Sequence, residues 1–271
     1  MSIRQVKEII FLGTGTSSGV PSVACLTDPE KNVKPVFSAL KWWPHYGLRK
    51  IDAVILTHPH ADAMNGLDDL RAWTLHQIIQ DHISIYLTDE THTSVKSSFP
   101  YLVDTKQATG GGELPSFRWN IINSKSPFTV EGLEFTPLPV HHGVHFSTNE
   151  PYLYIGFRFD NICYISDCSF IPEDTREKMH GSEIVILDSL DYKEHTSHFS
   201  VQQAIDTSKN LVPIPKRTYL TGFTHAIEHY TLTEEMELLE AEEPGLWVRP
   251  AHDGLKVYIE DLTLSNGLDK N

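Results

Sequence analysis

The sequence predicts one α/β domain over residues 1–271, with a mixed, strand-rich core. Three observations carry this. Short apolar runs bounded by turn residues recur from residue 7 to residue 259. Stretches with helical spacing fall between them. No internal repeat, low-complexity tract or linker divides the chain, and 271 residues suffice for a core that needs no disulfide.

In order, residues 7–12 (KEIIFL) read as a buried strand ending at Gly13, followed by the loop GTGTSSGVPS. Residues 51–57 (IDAVILT) read as a second strand that runs straight into HPHADAMNG. From Ala63 to about Gln80 the apolar positions Leu67, Leu70, Leu75, Ile78 and Ile79 have helical spacing. Residues 83–88 are a further strand, and 107–118, with Gly110, Gly111 and Gly112, a loop. FTVEGLEFTPLPV reads as a hairpin turning at Glu131–Gly132, and YLYIGFRFDNICYISD as one turning at Asp160–Asn161. EIVILD is a buried strand, and Ser200 with Gln203 has the form of a capping box opening a helix. RTYLTGFTH is a late strand, Glu234–Glu242 an acidic helix, and LKVYI a closing strand.

Composition narrows the function. The chain has 22 basic and 36 acidic residues, a net charge of −14, with no Lys/Arg run. Such a chain repels a phosphate backbone, so bulk nucleic-acid binding is not expected, while a small-molecule substrate, even an anionic one held through a metal, is. Three scattered cysteines, Cys25, Cys163 and Cys168, make no disulfide framework. No signal-peptide pattern and no apolar stretch of about 18 residues is present, so a cytoplasmic protein without a membrane span is expected. The Trp42–Trp43 pair is open to two readings, a homodimer interface or core packing.

Histidine is the anomaly, with fifteen in the chain. Several apolar strands end in metal-type ligands: IDAVILT before His58, His60 and Asp62; TPLPV before His141–His142; ICYIS before Asp167; RTYLTGFT before His225. A buried strand fixes its end, and loops at strand ends can converge on one point. Imidazole and carboxylate suit zinc, manganese and iron. Any one of these histidines alone reads more simply as a surface or core group. The ordered set points to metal-assisted hydrolysis.

These residues carry a resemblance. THPHADAMNGLDDLR resembles the HxHxDH signature of the metallo-β-lactamase fold superfamily. FLGTGTSSGVPS, PLPVHHG, YISDCSF, TSHFS and AHDGLKVYI resemble, in order, the motifs of its phosphodiesterase branch. That branch includes the cyclic-phosphate phosphodiesterases of phosphonate metabolism and, more distantly, tRNase Z. The resemblance implies an αββα sandwich and one or two divalent ions, zinc or manganese. It implies that His58, His60 and His142 hold the first metal, that Asp167 bridges, and that Asp62 serves the second metal and orients or deprotonates water. It gives His198 a role toward the leaving group or phosphate. The activity implied is phosphodiester hydrolysis; an ester or thioester hydrolase, and a non-catalytic protein with a degenerate site, are the alternatives.

The chain departs from that pattern in three places. Ala63 and Gly222 stand where the family has histidines for the second metal, and His225 is the first candidate substitute, with His229 and His145 behind it. Between Cys25 and Ala39 the family has more strand material and often a cysteine cluster, so an early strand pair is expected to be missing and no structural zinc is expected there. Asp68 and Asp69 are read as a solvated helix face or as groups orienting a ligand, and Cys168 as a small buried residue.

Overall fold

A computed structural model describes residues 5–15, 42–111 and 113–260. The expectations for GTGTSSGVPS beyond Gly15 and for the segment between Cys25 and Ala39, including the missing strand pair, lie outside the described residues.

Two layers of sheet stack face to face with helices outside. One is a seven-stranded sheet in the order β11-β10-β9-β8-β7-β6-β5. Its strands are β5 (Phe128–Val130), β6 (Leu133–Val144), β7 (Pro151–Phe159), β8 (Ile162–Ile165), β9 (Ile184–Asp188), β10 (Arg217–Thr221) and β11 (Val248–Pro250). The other layer holds the parallel trio β2 (Ala53–Ile55), β3 (Ile83–Leu87) and β4 (Phe117–Ile121), and the antiparallel pair β1 (Glu8–Ile10) and β12 (Lys256–Tyr258).

The period-2 alternation of each strand explains the layers. In β9, Val185 and Leu187 face the helices while Ile184 and Ile186 face the other sheet layer. β8 divides the same way, with Cys163 and Ile165 outward and Ile162 and Tyr164 inward. Between the layers, Ile55 and Tyr86 pack against Ile155, Phe157, Phe128 and Phe135. Helices α6 (Glu173–Met179), α7 (Val201–Lys209) and α8 (His229–Glu242) accompany the seven-stranded sheet, and α4 (Asp89–Ser98) and α5 (Pro100–Val103) the parallel trio.

Both hairpins form where their turn residues require. Glu131 and Gly132 have φ of 49° and 85°, and Asp160 has φ 53°. Ser200 caps α7 in a complete capping box: its hydroxyl accepts from the Gln203 N–H, and the Gln203 side chain accepts from the Ser200 N–H. One expectation fails. The stretch from Ala63 to Gln80 is not one helix. It breaks into α2 (Ala61–Met64), a 3₁₀ turn (Asn65–Leu70), α3 (Arg71–Thr74) and a 3₁₀ turn (Leu75–Gln77). Its end is set by positive φ at His76 and Gln77, which no helix sustains. Against this stretch, α1 (Trp42–His45) brings Trp43 edge-on to Trp73 at 5.0 Å, and Trp42 lies over Gly254, so both rings pack against the body of the protein.

Candidate metal centre

Strand directions gather the site. β6 is antiparallel to β7 and β7 to β8, while β8, β9 and β10 are mutually parallel. The ends of β6, β8, β9 and β10 therefore lie along one edge of the sheet, the edge where an open sheet of this kind carries its ligands. His142 sits at the end of β6, Asp167 just past β8, Asp188 at the end of β9 and Gly222 just past β10. His58 and His60 reach the same place from the loop after β2 in the other layer.

A bulge aims His142. The β6–β7 register slips between His141 and Val144, and Gly143 takes φ 76°. A Cβ on Gly143 would stand 3.1 Å from the Ser197 Cβ, so glycine also permits the close approach of the 196–197 loop. The Ser197 carbonyl of that loop lies 2.7 Å from His142 Nδ1. It must accept from Nδ1–H, which leaves His142 Nε2 unprotonated, with its lone pair turned toward His60.

His58, His60 and His142 bring ring nitrogens within 4.8 Å of one another. His60 Nδ1 and His142 Nε2 are 3.2 Å apart, and His58 Nε2 is 3.3 Å from Asp167 Oδ2. Tetrahedral ligands with bonds of about 2.0–2.1 Å stand about 3.3 Å from each other. His58 is buried, and despite the nearby carboxylate its Nε2 has no geometry for a hydrogen bond, while the Thr57 hydroxyl lies 2.9 Å from Nδ1. A buried imidazole nitrogen without a partner, facing a carboxylate and two further imidazoles, fits a divalent cation. Burial first, then the neighbouring histidines, push His58 down to about 3. Burial also lowers His142 to about 4, against the Ser197 hydrogen bond. Both rings are neutral near pH 7, the state that binds metal.

Asp167 is held from below. The Tyr154 hydroxyl accepts from the backbone N–H of Ser166 at 2.9 Å and of Asp167 at 3.2 Å, and lies 2.6 Å from the Ser166 hydroxyl. Burial, then the charge of Asp188, raises Asp167 to about 7. Burial likewise raises Asp188. Its Oδ2 accepts from the N–H groups of Cys168 and Phe199 and lies 2.9 Å from His198 Nδ1. Burial works to lower His198, but the hydrogen bond and charge of Asp188 outweigh it, so His198 is raised. Asp167, Asp188 and His198 form a second group with ligand atoms within 4.8 Å of one another.

Five of the residues singled out by sequence thus meet at this edge: His58, His60, His142, Asp167 and His198. Asp62 and His225 are exposed and stand outside both groups, though the charge of Asp62 acts on His142, Asp167 and His198. The His145 ring packs edge-on to Tyr152 at 5.1 Å and His229 to His252 at 5.6 Å. Asp68 accepts from the Tyr101 hydroxyl and neighbours Arg71. The Cys168 thiol is buried, and burial raises it well above its ordinary value. Asp188 was not singled out by sequence. Its signal was the one used elsewhere, an apolar strand ending in a carboxylate.

A family model for the beta-lactamase superfamily domain matches residues 25–223. The chain belongs to this superfamily. It has the metallo-β-lactamase fold. A crystal structure described as a new diphosphatase from the PhnP family is 26% identical, with TM-score 0.72, covering 94% of this chain and 98% of that one. Zinc-bound PqqB from Methylobacterium extorquens, 17% identical with TM-score 0.69 over 93% of this chain and all of that one, shares the fold. Yeast PDE1 does too, at 16% identity and TM-score 0.61 over 94% and 79%. A Porphyromonas gingivalis protein named octanoyltransferase is 27% identical over 278 residues, covering 93% of this chain. The chain spans about half, 51%, of that relative's length. Among the described residues, no helix is long and apolar enough to cross a membrane.

Proposed function

We propose that the chain is a phosphodiesterase acting on a small phosphodiester, cyclic ones included, with a divalent ion, zinc or manganese, held by His58, His60, His142 and Asp167. One observation carries this reading: the unpartnered buried Nε2 of His58 stands 3.3 Å from Asp167 Oδ2, beside His60 and His142 nitrogens 3.2 Å apart, with Asp167 Oδ2 3.8 Å from His142 Nε2. End-to-end likeness to a PhnP-family diphosphatase supports the choice of phosphoryl chemistry.

A divalent ion supplies positive charge for a phosphoryl oxygen and a water acidic enough to lose its proton near neutral pH. The chain's part is to hold and orient. His58 and His142 offer neutral nitrogens, and the Ser197 carbonyl and Thr57 hydroxyl fix their rings. Asp167 brings negative charge, and Tyr154 keeps its turn in place. In the net reaction water adds across one P–O bond: a new oxygen–phosphorus bond forms, the ester bond breaks, and the leaving oxygen takes a proton. A cyclic diester opens to a monoester that keeps its alcohol.

The test is metal content and turnover of bis-p-nitrophenyl phosphate by the wild type, His58→Ala and His60→Ala. Both variants are expected to lose the ion and at least about 10²-fold in turnover. A His58→Ala protein with full metal content refutes the assignment. The octanoyltransferase likeness favours a second reading, thioester hydrolysis at the same centre, so an octanoyl thioester belongs in the same panel. Faster turnover of the thioester would replace the first reading with the second.

A further inference from the structure

Asp188 leaves something unexplained. It is fully buried, and its Oδ2 accepts from two backbone N–H groups and meets His198. Its Oδ1 makes no hydrogen bond among the described residues. A buried carboxylate oxygen without a partner is costly unless a cation stands against it.

The surroundings of that oxygen are open by sequence. Gly222, at φ 85°, lies beside it, and a Cβ there would stand 2.8 Å from Oδ1. The Gly222 N–H donates to the Thr14 carbonyl at 2.9 Å, which holds the backbone in this pose. A histidine at 222 has no room here, so the metal position that the family serves from residues 63 and 222 is lost on both sides. Neither Asp62 nor His225 joins a ligand group that would restore it. Asp167, Asp188 and His198 do form such a group, with Asp167 also 3.3 Å from His58.

We infer that a second divalent cation binds between Asp167, Asp188 and His198, displaced from the family's second position toward the oxygen that Gly222 uncovers. Two carboxylates and an imidazole are a donor set for zinc or manganese. Asp167 then serves both ions. His198 becomes a ligand instead of the leaving-group residue that the resemblance implies. The inference rests on the metal-centre reading for the first ion.

The experiment loads the full chain with zinc or with manganese, removes free metal and counts ions per chain by elemental analysis. The wild type is expected to hold about two, and His198→Ala and Asp188→Asn about one, while Asp62→Asn and His225→Ala stay at about two. Asp188 also anchors backbone N–H groups, so circular dichroism accompanies its variant, and His198→Ala alone decides between the outcomes if Asp188→Asn fails to fold. Loss of one ion in His198→Ala or in folded Asp188→Asn, with Asp62→Asn and His225→Ala unchanged, supports the site. A wild type with about one ion or fewer overturns it, as does a second ion that survives both variants or leaves with Asp62→Asn or His225→Ala. The two readings fail separately. A one-ion wild type that hydrolyses bis-p-nitrophenyl phosphate removes the second site alone, and a two-ion protein without turnover removes the phosphodiesterase alone.

Discussion

Single residues decide what this centre can hold. Gly222 is the sharpest case, because its φ of 85° and its closeness to Asp188 exclude a side chain for independent reasons. Putting the family's histidine back should therefore not rebuild a site. Gly222→Ala and Gly222→His are expected to lose about 1–3 kcal/mol of stability in urea titrations, and His at 222 to add no bound metal. A stable Gly222→His protein with an extra ion would show that the backbone adapts. Tyr154 acts the other way, through a hydroxyl that accepts two N–H groups at the turn carrying Asp167. Tyr154→Phe keeps the ring and strands those donors. The expected cost is about 1–3 kcal/mol, with weaker metal binding by competition titration, and unchanged affinity would mean that the turn needs no such support.

At the scale of elements, the ligands are placed by strand ends, and strand ends were what the sequence displayed best. β2, β6 and β8 could be read from apolar runs that stop at His58, His142 and Asp167. The bulge that sends His142 inward could not, since a His-His-Gly run names no register and only pairing with β7 sets it. The stretch after Asp62 deceived because its apolar spacing persists while its backbone does not: positive φ at His76 ends what Leu75 and Ile78 suggest. α4 went unread because DETHTSVKSS buries only Thr91 and Val95 and is started by the Thr88 cap rather than by an apolar stripe. The residues missing beside the metal, Ala63 and Gly222, were visible in the sequence, but the carboxylate that answers them, Asp188, depends on which strands become neighbours. α7 offers a test of local legibility. Ser200→Ala breaks the capping box two residues after His198, and is expected to cost about 0.5–2 kcal/mol in urea. A cost near zero would mean that packing alone sets the start of this helix.

Across the whole molecule, the centre joins the two sheet layers. His58 and His60 follow β2 of the parallel trio, whereas His142, Asp167, Asp188 and His198 belong to the seven-stranded sheet and its loops. An ion bound to both sets ties the layers at one edge, and the apolar contact of Ile55 and Tyr86 with Ile155 and Phe157 ties them in the middle. The two fasteners differ in kind. The apolar one needs no metal, so a chelator should leave a folded protein with unchanged far-ultraviolet circular dichroism. The ionic one adds to stability by mass action, about 2.7 kcal/mol when free metal is 100-fold above its dissociation constant. For a chain of this length that corresponds to a rise of about 5–11 °C in melting temperature, at about 2–4 °C per kcal/mol. The rise should shrink in His58→Ala, which weakens the link from the trio and leaves only the ion between Asp167, Asp188 and His198, while a core change such as Phe157→Ala should lower the melting temperature equally with and without metal. Full unfolding on chelation would put the ion ahead of the core in holding the layers together, and a metal-induced rise undiminished in His58→Ala would mean that no stabilising ion links the two layers.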